Sequence, residues 1–426
     1  MEKDCELRLG PPERSPKLDV IVVGAGLSGL VSAYRLLEKE PSLRIRVLEA
    51  SNSVGGSLQQ NTQGEIGAKW FEKSQTHIYQ LLQHLGVPMQ QRSLVGSTLR
   101  RCWELDQSVS SNLAKYELQR YINELELKTA FFKPGRFSYL DCPNTLLEFD
   151  SARLLNALTQ GLQRADILLS RQAKAIYHYK DYIEVHDSVQ NIHTTDALIL
   201  AIPLNALQQI NISPTVPLEW RKMLNNARPG VRKMMTSFIA SYRDGHWRNG
   251  GYSGSFLKYD PLIVGCEYRP TVYTGLMLHN DGMESLVRSM TLNALAQHFG
   301  EEMKVPHTYS QYTFELSSLQ HLPLTTPWNR IIWSSSAAAS TCYRGFLGGA
   351  VQSGLRASLN ALLVVRPQVV TWTDVADIHC QNCPNIRDIG ALKLWLSALN
   401  LYNVGYYALY ASSVFLALQF AYKKFG

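Results

Sequence analysis

The feature that most narrows the fold of this chain is an apolar run, Val20-Ile21-Val22-Val23, that passes directly into Gly24-Ala25-Gly26-Leu27-Ser28-Gly29. Strands buried on both faces read as such runs, and three glycines at this spacing serve a strand-to-helix turn around a diphosphate. Gly24 permits the tight turn, and Gly26 lets backbone N–H groups approach the diphosphate. Gly29 lets the helix from Ser28 to about Glu40 pack closely on the sheet. Leu27 and Ser28 fall in the first helical turn, where free N–H groups and the positive end of the helix dipole favour an anion. A second strand, Arg44-Ile45-Arg46-Val47-Leu48, delivers Glu49 twenty residues past the last glycine. An acid there hydrogen-bonds a ribose 2′-hydroxyl and favours a nucleotide without a 2′-phosphate. A dinucleotide-binding unit is therefore expected near the N-terminal end.

At 426 residues, 45% hydrophobic and 18% charged, the chain is long enough for two domains with a substantial core. Its formal charge of +7 is spread along the sequence, with no basic block beyond pairs such as Arg100-Arg101, which reads as solvated surface and argues against a nucleic-acid partner. Seven scattered cysteines form no disulfide framework, and Met1-Glu2-Lys3-Asp4 lacks the apolar stretch of a signal peptide. A reducing, cytosol-facing body is expected. His379-Cys380-Gln381-Asn382-Cys383 has the spacing of half a zinc site, but no second pair lies nearby, so no metal is expected.

After the acid come Ala50-Ser51-Asn52-Ser53-Val54-Gly55-Gly56. With this continuation the chain resembles the flavin-containing amine oxidase family, and within it monoamine oxidase, as a divergent member. The resemblance extends to Gly67-Ala68-Lys69-Trp70, to the strand Ala197–Pro203, and to the glycine-rich segment Gly345–Ala357. It implies FAD in place of NAD, with the second glycine pair near the FAD phosphates and the Gly67–Trp70 segment passing the isoalloxazine. The helix beginning near Leu347 is implied to face the flavin pyrimidine with its N-terminus. Ala173 stands near a family position whose backbone contacts adenine.

The same comparison organises the chain into separated pieces, an α/β fold with a Rossmann-like FAD-binding domain of discontinuous segments and an α+β substrate or cap domain. The FAD-binding segments are 15–89, 150–229 and 328–363; the cap segments are 90–149 and 230–327. Pattern supports these pieces: a helix bearing Ile78, Leu81, Leu82 and Leu85 stopped by Gly86, a helix over Ala152–Arg164, and a strand pair in Lys174–His186. The cap is expected to hold strands such as Met235–Tyr242 and Tyr273–His279 and a helix near Glu284–Gly300.

Following a connector over 364–393, no charged residue occurs from Leu394 to Tyr422, after which Lys423-Lys424 follow. Roughly 20 apolar residues cross a bilayer, so this stretch is expected to be a C-terminal transmembrane helix, with tyrosines as interfacial anchors. A buried helix of the globular body also lacks charge and stays open as the alternative. A tail anchor would leave the body facing the cytosol. Monoamine oxidases carry a similar C-terminal helix, which favours the mitochondrial outer membrane, with the endoplasmic reticulum as the alternative.

Four departures from the family bear on chemistry. Ser57 stands where the family places an arginine against the diphosphate. Ser237, with Thr236 beside it and Lys233 four residues away, stands where the family has a lysine near flavin N5. The turn Ser334-Ser335-Ser336 lacks the family's carboxylate, leaving Ser335 at the ribityl position. Tyr309–Arg330 contains no cysteine, and Cys342 lies after the turn, so FAD is expected to be non-covalent. The amine-cage position falls on Phe346, with Tyr343 three residues earlier, and Lys69 is placed to stabilise reduced flavin or to reach solvent.

The expected function is an FAD-dependent oxidase taking an amine to an imine and then an aldehyde, with O2 as acceptor and H2O2 released. A polyamine would favour tunnel carboxylates, for which Glu302, Glu267 and Asp281 are candidates. The alternative is a membrane-anchored pseudo-oxidase acting through protein contacts. A homodimer stays open.

Overall fold

The computed structural model describes residues 16–378 except 59, 62–63, 66, 69, 92–145, 226–232, 253, 255, 260–261, 316–324 and 340–344. Lys69, Tyr343, Cys342, the His379–Cys383 cluster and the 394–422 run lie outside the described residues, as does nearly all of the first cap segment. Among the described residues no helix is long and apolar enough to cross a membrane.

The apolar run folds as β1 (Leu18–Val23), six buried residues in a row. It lies mid-sheet, paired in parallel with β2 (Ile45–Leu48) on one side and with β11 (Ile192–Leu200) on the other. The remaining strands in chain order are β3 (Gln60–Asn61), β4 (Gly64–Glu65), β5 (Trp70–Glu72), β6 (Met89–Gln91), β7 (Leu146–Phe149), β8 (Asp166–Leu168), β9 (Ala173–His178), β10 (Ile183–Asp187) and β12 (Asn211–Ser213). Then come β13 (Lys233–Ser241), β14 (Phe256–Tyr259), β15 (Leu262–Arg269), β16 (Val272–Asn280), β17 (Thr308–Glu315) and β18 (Ile331–Trp333). The principal helices are α1 (Leu27–Lys39), α2 (Thr76–His84), α3 (Ser151–Gly161), α4 (Leu218–Asn225), α5 (Glu284–Phe299), α6 (Leu347–Val365) and α7 (Trp372–Ile378).

The main sheet is mixed, in the order β12-β9-β10-β11-β1-β2-β8, with β18 joined in parallel to β11. Its even-numbered β1 side chains, Val20 and Val22, face a core built with Leu30, Leu36, Leu154, Val351 and Ala357 from α1, α3 and α6. The odd-numbered Ile21 and Val23 face a second core with Ile176, Val185, Trp220 and Trp333. Period-two alternation thus divides one strand between two cores.

Two differences from the sequence reading have local causes. β11 begins at Ile192, five residues before the apolar run, because Ile192–Thr195 pair with the antiparallel β10. It ends at Leu200 rather than near Pro203, where the Ala201 N–H turns to donate to the Val23 carbonyl at 2.7 Å. β8, three residues long, extends the sheet beyond β2 and has too short a pattern to read locally.

The cap residues 233–315 form an antiparallel sheet in the order β14-β15-β16-β13-β17. Phe238, Tyr273 and Met277 on one face pack under α5 against Val287, Leu295 and Phe299. β7, at the end of the first expected cap segment, is hydrogen-bonded between β5 and β6 of the first FAD-binding segment. α3 starts where Asp150 accepts a bond from the Arg153 N–H at 3.1 Å, an N-cap contributing about 1 kcal/mol.

Candidate functional site

From Leu18 to Ala33 every residue is buried except Gly26. Gly26 is the N-cap of α1 with extended backbone, φ −72°, and no side chain caps the helix there. A Cβ built on Gly26 meets nothing within 4 Å, whereas one on Gly24 lies 2.4 Å from the Ala201 carbonyl oxygen and one on Gly29 lies 2.0 Å from the Gly24 carbonyl oxygen. The three glycines therefore have different reasons. Gly24, at φ +102°, and Gly29 are required by the chain itself, and Gly26 borders open space in front of uncapped helix N–H groups. That concave, donor-lined opening fits a diphosphate.

Gly55 and Gly56 close one side of it. The Gly55 N–H donates to the Ala25 carbonyl at 2.9 Å, and a Cβ on Gly56 would lie 3.1 Å from the Gly26 Cα. Both adopt positive φ, +116° and +56°. Ser57 follows, exposed, and Ala50 is exposed on the other arm of the loop.

Glu49 ends β2 beside the opening, half-buried. Its Oε2 accepts from the Ala25 N–H at 2.6 Å, and its Oε1 accepts from the Ser51 N–H at 2.9 Å and the Ser51 hydroxyl at 2.7 Å. These bonds fix the carboxylate at the turn and occupy both lone pairs of Oε1, while Oε2 keeps a second one for a ribose hydroxyl. The segment leading into β9 runs alongside: Ser170 N–H donates to the Ser51 carbonyl at 2.8 Å and Arg171 N–H to the Glu49 carbonyl at 2.7 Å. Ala173, buried, is thereby carried close to the same loop. Glycine turn, acid, glycine pair and the Ala173 segment converge.

Other expected residues are committed to the protein itself. The Ser28 hydroxyl donates to the Ser334 carbonyl at 3.2 Å, and Ser32 donates to the Ser28 carbonyl at 2.7 Å, so Ser28 offers a ligand only its backbone. Leu27 is buried in the core. The Ser335 hydroxyl accepts from the Trp333 indole at 2.9 Å, and its N–H donates to Ser353 Oγ at 3.0 Å. Phe346, half-buried, is the N-cap of α6, with Leu347 next to it. Gly67 and Ala68 are half-buried, and Trp70 contacts the cap through Tyr268, ring centroids 6.0 Å apart, and buried Cys266. Of the polyamine candidates, Glu267 accepts from the Trp247 indole at 2.7 Å and from Arg248 Nε at 2.8 Å, and Glu302 is exposed.

In the cap, Thr236 and Ser237 point to opposite faces of β13. Thr236 shares hydrogen bonds with His279 Nε2 at 2.8 Å and Thr313 Oγ1 at 2.7 Å. Ser237, 2% exposed, pairs with Leu276 and Tyr312 in neighbouring strands. Burial pushes the Tyr312 phenol above its usual range, and the negative charge of Glu49 raises it further. Tyr312 therefore lies within electrostatic reach of the nucleotide turn.

Gln75 is a site residue that the sequence reading missed. Its side chain is 5% exposed and its Oε1 accepts from the Gly348 N–H at 3.0 Å, capping the first turn of α6 from the start of α2. The partners are separated by 273 residues, so no local pattern announces the bond.

Residues 22–85 match a family of NAD(P)-binding Rossmann-like domains, and residues 105–362 match the family described as flavin containing amine oxidoreductase. The chain belongs to the flavin containing amine oxidoreductase family. Membership implies FAD as the cofactor. Among curated relatives, tryptophan 2-monooxygenase of Allorhizobium ampelinum is 37% identical over 83 residues, 18% of this chain and 11% of that protein. Putrescine oxidase of Kocuria rosea is 35% identical over 91 residues, 20% of this chain and 19% of that protein. The matches thus span about a tenth to a fifth of these relatives' lengths.

Solved structures share the fold over a longer extent. Putrescine oxidase bound to putrescine superposes with a TM-score of 0.61 at 18% identity, covering 82% of this chain and 100% of that one. Cyclohexylamine oxidase from Brevibacterium oxydans gives 0.61 at 16% identity, covering 81% and 99%. Among the described residues, no cluster of metal-binding side chains occurs.

Proposed function

We propose that this protein is an FAD-dependent amine oxidase that takes an amine to an imine, which hydrolyses to an aldehyde, with O2 as electron acceptor and H2O2 as product. The observation that supports it most directly is the open, uncapped N-terminus of α1 at Gly26, bordered by Glu49, Gly55 and Gly56. In this reading the Leu27, Ser28 and Gly29 backbone holds the diphosphate, Glu49 the adenosine ribose, and the Ala173 backbone the adenine. Bound non-covalently, FAD supplies the hydride acceptor. The protein's part is orientation and exclusion of water: Trp70 with Tyr268 joins the cofactor side to the cap, and Phe346 is the residue assigned to wall the amine so that its neutral form is favoured. Lys69 precedes Trp70 in the sequence and is the residue assigned to offer positive charge to the reduced cofactor, the alternative being that it reaches solvent.

The test is visible absorption of the purified full chain in detergent. A flavin spectrum bleached anaerobically by tyramine, phenethylamine or putrescine supports the oxidase. A colourless protein that takes up no flavin on adding FAD refutes it.

A second reading, a pseudo-oxidase, draws support from serines at 57, 237 and 335 and from the Ser335 hydroxyl being held by Trp333. It predicts tight folding without amine-dependent bleaching. In either case we infer a tail anchor over 394–422 with the body facing the cytosol, in the mitochondrial outer membrane.

A further inference from the structure

Three tryptophans that the cofactor reading leaves unused touch one another from the nucleotide edge of the main sheet to the surface. Strands β1, β11 and β18 are parallel, so Gly24, Ala201 and Ser334 all leave the sheet at its carboxyl edge, where open α/β sheets bind their ligands. Trp333 is the last residue of β18 at this edge. Its neighbour Ser334 donates through its N–H to the Leu200 carbonyl at 2.9 Å and accepts at its own carbonyl from the Ser28 hydroxyl at 3.2 Å, which joins it to the first turn of α1. The Trp333 side chain, 1% exposed, packs edge to face against Trp220 of α4, 3% exposed, with ring centroids 5.8 Å apart. Trp220 in turn meets Trp328 edge to face at 6.1 Å. Trp328 is half-buried and stacks on half-buried His178 of β9 at 5.7 Å, which brings the series to the surface.

This geometry suits the transfer of single electrons. Tunnelling falls off exponentially with distance, so short steps between rings in contact outrun one long jump, and indole is among the side chains most readily oxidised. The Trp333 indole N–H donates to the Ser335 hydroxyl oxygen at 2.9 Å, a neutral acceptor rather than a base, so an oxidised ring keeps its proton and passes on only the missing electron. Trp328 is fixed by paired backbone bonds with Ile331, at 2.8 and 2.9 Å. Beside it, burial and the charge of Arg330 hold the His178 imidazole below its ordinary range, so that ring is uncharged at neutral pH. Arg330 also opposes positive charge on Trp328, and water around the half-buried indole offsets this.

We propose that Trp333, Trp220 and Trp328 relay single electrons between a flavin bound at the glycine turn and the protein surface. Flavins accept single electrons as well as hydride. Each event moves one electron: Trp333 gives it to the photo-excited flavin, Trp220 refills Trp333, Trp328 refills Trp220, and a soluble thiolate restores Trp328 and becomes a thiyl radical. Oxidising equivalents are thereby moved away from the cofactor to a place that a soluble reductant reaches. This inference rests on the FAD reading, and the experiment separates the two.

The full chain in detergent is loaded with FAD and illuminated without oxygen in the presence of a nitroso spin trap, and adducts are located by peptide mass spectrometry. Wild type is expected to carry the adduct on Trp328. Folded, flavin-loaded W220F is expected to lose it there, whereas W372F, which removes the exposed indole of α7 outside the series, keeps it. In W328F an added thiol should no longer shorten the lifetime of the tryptophan radical seen after a flash, and this measurement decides the matter if W220F does not fold. No Trp328 adduct in flavin-loaded wild type, as much adduct in W220F as in wild type, or equal thiol repair in W328F and wild type would each overturn the relay and leave the cofactor reading standing. A wild-type chain that takes up no FAD would overturn both.

Discussion

Substituting Gly26 by alanine separates ligand binding from folding more cleanly than any other change in this molecule. The Gly26 backbone, φ −72° and ψ 175°, is open to any residue, and its added Cβ meets no atom of the protein within 4 Å. Reduced freedom of the unfolded chain favours alanine by about 0.4–1 kcal/mol, and loss of a glycine N-cap offsets part of this, so stability should change by less than about 1 kcal/mol. The methyl group instead occupies the space where a diphosphate would approach the helix N–H groups. Losing one charge-assisted hydrogen bond of about 1.5–3 kcal/mol weakens binding by about 10- to 150-fold. Gly29→Ala serves as the contrast, since its Cβ would lie 2.0 Å from a backbone carbonyl and must displace the turn. The assay pairs thermal unfolding by circular dichroism with flavin content after gel filtration. G26A should keep its unfolding midpoint and lose flavin, while G29A should lose both. If G26A retains flavin as wild type does, the assignment of the opening to the diphosphate is refuted.

Ser57→Arg should strengthen FAD retention by about tenfold, since a guanidinium replaces a neutral donor beside Gly56; isothermal titration of the apoprotein checks this. Asp374→Ala removes the partner shared by Arg35 and Lys39 and should cost about 3 kcal/mol, measured by urea unfolding. Stability should also fall in mild acid through the His193–Asp187 pair, which are 3.1 Å apart and buried. Burial holds the His193 imidazole below its ordinary range, the bond to Asp187 opposes this, and Arg46 lowers it further. Burial raises the Asp187 carboxyl, but bonds from His193, Asn191 and Val189 outweigh it and leave it below the usual range. A depressed histidine contributes stability above its unfolded value, about 6.5, that is lost as pH falls below it, and the depressed aspartate loses its contribution at lower pH still. His193→Gln should flatten the fall in unfolding midpoint between about pH 7 and 5.

The parts of the fold that were legible in the sequence are those whose signals are local. The β1 run, the glycine turn, α1, β2 and Glu49 lie within about thirty residues and each states its own conformation. Gly86 stops α2 at φ +65° as its position implied, and β13, β16 and α5 fall close to their apolar patterns. What was illegible depends on partners far along the chain. β8 exists because Val47 and Leu48 offer it an edge, and Gln75 is a cap only because α6 returns 273 residues later. The hydroxyl partners of Ser28 and Ser335, Ser334 and Trp333, were illegible for the same reason. Local pattern and resemblance pointed to the glycine turn, and long-range packing decided which of its neighbouring side chains are engaged within the protein.

The placement of β1 has a consequence for biosynthesis. Its neighbour β11 is encoded nearly two hundred positions downstream, and β18 and α6 later still. Emerging from the ribosome, β1 has only β2 beside it until Ile192–Leu200 has left the exit tunnel, and there is no α6 to pack against α1 until more than 350 residues have been made. Prematurely terminated products should therefore be unable to sequester nucleotide, and the nascent chain should depend on chaperones while its first apolar strand waits for its second neighbour, β11.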